Sequence, residues 1–218
     1  VLVESPSNPT LAVTDLVGVA ALGRQRGIRT VADNTFASPV LTRPCQLGFS
    51  LSVSSATKYL GGHSDIVLGA IAGNEADVIR CWEVAKLTGP TPDPMAAWLL
   101  HRGLKTLYMR VRRSSDNAQS LAQWLLWQPQ VARVDYPGLP EHPGYAIAAR
   151  QMQGGFGGIL SPSWRILKTA QADAEGVDRS RERGVAHLVA VLGEQRVHLG
   201  EEAGKLGLRL LQLSFHGL

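Results

Sequence analysis

A single lysine, Lys58, stands among hydroxyl residues and glycines in the stretch Leu51-Ser-Val-Ser-Ser-Ala-Thr-Lys-Tyr-Leu-Gly-Gly-His-Ser-Asp65. The run Phe49 to Val53 is short, apolar and β-favouring, so the hydroxyls that follow fall at a strand's carboxyl end, where they can turn toward an anion. Gly61 and Gly62 are expected to keep a helix from forming behind them. An ammonium held beside an anion site suits imine chemistry, because burial or cationic neighbours lower its pKa and free its lone pair. A solvated loop lysine is the alternative that this stretch alone leaves open.

Upstream, Ile28-Arg-Thr-Val-Ala-Asp-Asn-Thr35 is a second strand-like run, and it reaches a carboxylate, Asp33. An acid and a lysine would then share the carboxyl edge of one sheet, which is where doubly wound folds bind ligands. An acid facing a pyridinium nitrogen and a lysine in imine linkage are the first two protein groups that pyridoxal phosphate (PLP) chemistry requires.

Three ordered motifs carry a resemblance. Glu4-Ser-Pro-Ser-Asn-Pro9, then Val31-Ala-Asp-Asn-Thr-Phe-Ala-Ser-Pro39, then Ser55-Ala-Thr-Lys-Tyr59 with Gly62-His-Ser-Asp65 resemble the Cys/Met-metabolism family of PLP enzymes. That family includes cystathionine γ-synthase, cystathionine β- and γ-lyases, methionine γ-lyase and the O-acylhomoserine sulfhydrylases. The likeness runs from Val1 to about Leu160 and weakens thereafter.

The resemblance implies the α/β architecture of PLP-dependent fold type I. Residues 1–112 would be the C-terminal part of a PLP-binding large domain with a mostly parallel sheet, and residues 113–218 a smaller C-terminal α/β domain, atypical after about residue 161. It also implies roles. Lys58 would hold the cofactor as an imine and then move protons. Asp33 would keep the ring nitrogen protonated, Ser55 and Thr57 would hold the phosphate, and Asn8 would meet the phenolic oxygen, with Glu4 in the same cofactor-binding set. A turn asparagine beside a proline accounts for Asn8 equally well. The implied reaction is elimination or replacement at the β or γ carbon of a small sulfur amino acid, in a homo-oligomer, a tetramer in the family; a cytoplasmic location is the default expectation for a sequence without a membrane span or a signal-peptide pattern. A sulfhydrylase of the same family and an inactive remnant of the fold are the alternatives.

The elements that must position these residues follow from pattern. Val1 to Glu4 reads as a strand, Thr14 or Asp15 caps a helix to about Arg26, and Gly27 ends it. With the strand to Asp33 this is a βα crossover unit, which calls for a largely parallel sheet. Pro39 and Pro44 bracket an expected loop. Ile66 to Ala72 reads as a strand, Glu75 to Leu87 as a helix, Met95 to Leu100 as a short helix ending at Gly103, and Thr106 to Trp127 as a long one. A domain boundary is expected near Arg112. Val131 to Tyr136 is a strand, Gly144 to Met152 a helix, and Gly154-Gly-Phe-Gly-Gly158 leads into a strand at Ile159 and Leu160. Gly155-x-Gly157 is therefore not a dinucleotide loop, since no helix follows.

After Ser161 the pattern degrades. Pro162 sits inside an expected strand, Asp173 to Arg183 is dense in charge, and Leu192-Gly193-Glu194 is a faint trace of the family's substrate-pocket segment. Near the end, Gln212 stands where the family has an arginine that grips the substrate carboxylate, one extra residue separates Ser214 from Gly217, and Arg209 has no assignment. A local frame shift would produce this pattern. The strand-like opening without methionine reads as a truncated start, and the 218 residues alone are expected to show no appreciable lyase activity.

Composition narrows the classes. With 218 residues, 44% hydrophobic, the chain can bury a real core. No apolar run approaches the about eighteen residues of a membrane span. The net charge of +4 is scattered among acids, which argues against a nucleic-acid partner. Arg110, Arg112 and Arg113 form the densest basic cluster and read as a solvated helix face or a subunit contact. Cys45 and Cys81 read as reduced thiols. His63 and Asp65 lack further ligands at metal spacing, so no metal is expected and His63 reads as a loop histidine bonded to backbone. Ser55-x-x-Lys58 with Ser115-Asp-Asn117 mimics serine acyl-transfer enzymes, but no Lys-Thr-Gly follows.

Overall fold

A computed structural model describes residues 1–164 and the short strand 190–191. The first sheet has the order β1 (Leu2–Glu4), β2 (Val31–Asp33), β3 (Leu51–Ser55), β4 (Gly69–Gly73). The first three strands are parallel, and β4 returns antiparallel to β3.

Helix α1 (Leu16–Arg26) makes the crossover between β1 and β2. Asp15 caps it by accepting the Gly18 N–H at 3.2 Å, and Gly27 ends it at φ 62°, a left-handed conformation that glycine adopts without a side-chain clash. Leu16 and Ala20 face the sheet, packing on Ala32 and Phe49. Phe49 thus lies in the core ahead of β3, which starts two residues later than the apolar run suggests. The segment after β2 is not a plain loop: it holds α2 (Ser38–Leu41) and a 3₁₀ turn, Pro44–Leu47. The missing N–H of each proline falls in a first turn that needs none. β4 likewise starts at Gly69 rather than Ile66, because Ile66 is buried beneath Gly61 in the return leg from Lys58.

Helices α3 (Glu75–Thr88), α4 (Pro94–Leu104) and α5 (Leu107–Leu126) follow. Asn74 and Asp93 cap α3 and α4 through backbone N–H groups. No residue of α3 is fully buried, and Trp82 on it is 54% exposed. The long helix α5 belongs to two cores at once. Its first turns send Leu107 and Val111 into a cluster with Leu41, Ala56 and Leu60; its later turns send Ala118, Ala122 and Leu125 against Val131, Val134 and Leu160. Those positions lie three, four or seven residues apart, so one stripe of a single helix serves both cores.

The second sheet has the order β5 (Val131–Asp135), β6 (Ile159–Trp164), β7 (Ala190–Val191), all antiparallel, with α6 (Tyr145–Gln151) between β5 and β6. Strand β6 follows the glycine run directly, as the pattern predicts. β7 pairs only with Ile159 and Leu160, so Pro162 lies beyond that pairing, where its missing N–H removes no ladder bond on that side. The readings of Asp173 to Arg183, Leu192 to Glu194, Arg209, Gln212 and Ser214 to Gly217 lie outside the described residues.

Candidate active site

The three parallel strands set their carboxyl ends in register. Glu4 pairs with Asp33, and Asp33 with Val53, so Glu4 and Asp33 project from one face at one edge. Ser55, two residues beyond Val53, shares that face. A short relay ties two of these ends together: Asp33 accepts the Thr35 N–H at 2.9 Å, and the Thr35 hydroxyl accepts the Ser55 N–H at 2.8 Å. Asp-Asn-Thr favours such a turn, because a side-chain oxygen can meet an N–H two residues on. That turn chemistry is the signal by which Thr35, absent from the residues expected at the site, could have been found.

Lys58 lies three residues past β3, in one wide turn over Ala56–Leu60. Here the expectation from Gly61 and Gly62 is corrected. The glycines do not prevent a helical turn; they close one, with the Gly61 N–H on the Ala56 carbonyl and the Gly62 N–H on the Lys58 carbonyl, each at 2.8 Å. Wide ring closures of this kind occur mostly as single turns, often at functional sites. Lys58 itself departs from helical values, at φ −90° and ψ −122°. Its side chain is exposed, and among the described residues it makes no hydrogen bond or ion pair.

The remaining predicted residues divide. Thr57 spends its hydroxyl on the return leg, accepting the Leu68 N–H at 3.1 Å and donating to the Leu68 carbonyl at 3.4 Å. Glu4 accepts the Asn8 N–H at 3.3 Å, leaving the exposed Asn8 amide side chain unengaged among the described residues. Lys58 and Asp33 share the edge without touching. His63 bonds the Gly61 carbonyl at 2.7 Å, as a loop histidine does. Ser115 accepts the Gly157 N–H at 3.2 Å, so its hydroxyl serves packing of the glycine loop and not the acyl-transfer pattern that its motif mimics.

Two anchors of the lysine turn were not expected from the sequence. Arg110 is no solvated face residue: its Nη1 donates to the Tyr59 carbonyl (2.8 Å), its Nη2 to the Gly103 carbonyl (2.8 Å) and its Nε to the Thr106 hydroxyl (2.9 Å). The Tyr59 ring runs into the protein, where burial pushes its hydroxyl pKa up beside Ser114 and the Gly158 backbone. Neither contact has a sequence signal, since both join segments some fifty or more residues apart.

A lysine and a carboxylate presented at the carboxyl edge of parallel strands define a class of α/β protein suited to carbonyl chemistry on an amine. The sequence profile described as Cys/Met metabolism PLP-dependent enzyme matches residues 1–182, and the chain belongs to that family. It is 47% identical over 174 residues to a cystathionine gamma-synthase of Mycobacterium tuberculosis, covering 78% of this chain and 44% of that protein. It is 39% identical over 221 residues to an L-methionine gamma-lyase of Pseudomonas putida, covering 94% and 55%. The fold matches a crystal structure of cystathionine gamma-lyase from Lactobacillus plantarum complexed with L-serine, with TM-score 0.74 and 36% identity over 76% of this chain and 43% of that one. The chain spans about half the length of the curated relatives it matches.

The donor set fits the family's cofactor. An aromatic ring bearing a phosphate, a ring nitrogen and a carbonyl carbon needs an unpaired amine, an acid and hydroxyl donors at one edge. The Lys58 amine, the second Asp33 oxygen and the Ser55 hydroxyl are unengaged among the described residues. Thr57 fits less directly, because its hydroxyl would have to exchange its bonds to Leu68.

Proposed function

We propose that this chain forms the lysine-bearing part of a PLP-dependent enzyme that eliminates or replaces a group on the β or γ carbon of sulfur amino acids. The observation that carries the reading is the in-register edge, with Asp33 and Ser55 on one face and Lys58 presented as a free amine by the turn immediately beyond. The activities for which the relatives are named, cystathionine synthesis, cystathionine cleavage and methionine cleavage, all belong to this class.

When bound, PLP supplies an electron sink for a carbanion next to the substrate amine. Lys58 Nζ would anchor the cofactor's carbonyl carbon, and, once a substrate amine takes its place, the freed Nζ would take the proton from the substrate's α carbon and return it further along the chain. Asp33 would hold a proton on the ring nitrogen through its negative charge. Ser55 would donate its hydroxyl to the phosphate, with Thr57 beside it, while Asn8 and Glu4 would flank the ring at the neighbouring strand end. Residues 1–112 serve the cofactor and 113–218 the smaller domain in this reading, within a cytoplasmic homo-oligomer.

The test is covalent. With PLP present, borohydride should fix a phosphopyridoxyl group on Lys58, found by peptide mass mapping. Fixation on Lys86, Lys105, Lys168 or Lys205 in preference to Lys58 would overturn the assignment.

A further inference from the structure

We propose that Arg110 is a positioning residue for Lys58, a clip that fixes the lysine turn to the α4–α5 junction; the inference rests on the assignment of Lys58 above. Lys58 has no side-chain partner among the described residues, so its place is set by its backbone. The residue directly after it is held through its backbone and packed through its ring. The Tyr59 carbonyl accepts from Arg110, and the Tyr59 ring is buried beside Ser114 and Gly158.

Three acceptors of Arg110 are neutral oxygens on three different segments: the lysine turn, the last turn of α4, and Thr106, which directly precedes α5. A guanidinium can serve all three because its donors form a rigid planar fork. Two of the acceptors lie at or just past the carboxyl end of α4, the negative end of the helix dipole, where a cation is favoured. The surroundings are shaped to admit this fork. Gly62 sits at φ +75°, which favours glycine, and a Cβ there would occupy the position of the Arg110 guanidinium. Gly103 carries no side chain where a Cβ would run into the Gly61 carbonyl oxygen, so α4 lies directly on the turn. Gly62, read from sequence as part of a helix stop, thereby acquires a second reason: it admits the arginine, as Gly103 admits the close approach of α4.

The test compares Arg110→Gln, Arg110→Lys and Thr106→Val with the unaltered 218-residue chain. Two readouts are taken: amide hydrogen exchange in peptides covering 59–62 against peptides covering 16–26, and the ratio of Lys58 to Lys86 phosphopyridoxyl adduct after borohydride. Removing a charged hydrogen-bond donor should raise exchange at 59–62 about tenfold in Arg110→Gln while leaving 16–26 unchanged. The Lys58 to Lys86 ratio should fall in parallel. Arg110→Lys should recover part of both, since an ammonium can serve one acceptor but not the fork. Thr106→Val, which removes the Nε acceptor and the hydroxyl's own bond to the Gly103 carbonyl but leaves the Arg110 bonds to Tyr59 and Gly103, should give a smaller local rise and keeps the question answerable if Arg110→Gln does not fold. Equal loosening of 16–26, or unchanged exchange and adduct ratio in the folded variants, would overturn the proposal. Absence of a Lys58 adduct in the unaltered chain would instead refute the cofactor assignment, with the exchange readout still reporting on the clip.

Discussion

Replacing Tyr136 with phenylalanine isolates one buried hydroxyl. Tyr136 is fully buried, and its O–H lies 3.0 Å from the Gly157 carbonyl and 3.3 Å from the Ser115 carbonyl. One proton therefore serves two acceptors, on the glycine loop and on α5. Phenylalanine keeps the ring and its packing but leaves both carbonyls short of a donor, which costs about 1–2 kcal/mol. For a chain of this size that lowers the melting temperature by roughly 2–8 °C. The pH dependence gives a second handle. Burial, then the neighbouring Tyr59 and Asp116, raise the Tyr136 pKa well above its ordinary value. The unfolded chain loses that proton first, near pH 10, while the folded chain keeps it, so this stabilisation is complete below about pH 10 and declines as pH rises toward the folded pKa. At about pH 10.5 the decline amounts to about 0.8 kcal/mol for one tyrosine. The phenylalanine ring of the variant cannot ionise in either state, so the gap between wild type and Tyr136→Phe should narrow by that amount between about pH 7 and about pH 10.5. Urea unfolding followed by tryptophan fluorescence at the two pH values measures it. A variant as stable as wild type at neutral pH, or a gap that widens with pH, would refute the reasoning.

Asp33→Asn should retain the Thr35 contact, because the amide oxygen still accepts an N–H, and should leave Lys58 open to phosphopyridoxyl fixation. In the holoenzyme, turnover should nevertheless fall by roughly a hundredfold or more, since a neutral amide does not hold a proton on the ring nitrogen; near-normal turnover would remove Asp33 from the site. Gly103→Ala gains about 1 kcal/mol of helix propensity but forces a methyl group into the Gly61 carbonyl, an overpacking cost of about 1–3 kcal/mol. Net destabilisation is expected by urea titration, in contrast to Gly18→Ala, whose Cβ meets only the movable Asp15 carboxylate at 3.0 Å.

What the sequence made legible was whatever is local or periodic. Asp15 and Gly27 bracket α1 by capping chemistry, the stripe from Leu107 to Leu125 marks α5, and the short apolar runs locate the strands to within three residues. Phe49 and Ile66 displaced the predicted strand starts because an apolar residue beside a strand packs into the same core as one within it. The candidate site was legible as residue types, with Asp33, Ser55 and Lys58 on one edge. Its supports were not. Arg110 looked like part of a basic surface because charge alone does not reveal that three oxygens from separate segments converge on one guanidinium, and Thr57 looked free because the return leg through Leu68 has no distinguishing pattern.

The lysine turn also carries a consequence for the order of folding. Its own closure is local: the Ala56 N–H and the Thr57 hydroxyl reach Leu68, only about a dozen residues along. A loop that short closes with little entropy loss and on a submicrosecond timescale. The contacts that immobilise Tyr59 come from Arg110, 51 residues on, and from the glycine loop after α6. The turn should therefore take shape early and stay loose until α5 and the second sheet have docked. Assembly of a rigid lysine then reports on completion of both cores that α5 joins, so a slow or failed second half delays the site without erasing the strand edge on which it is built.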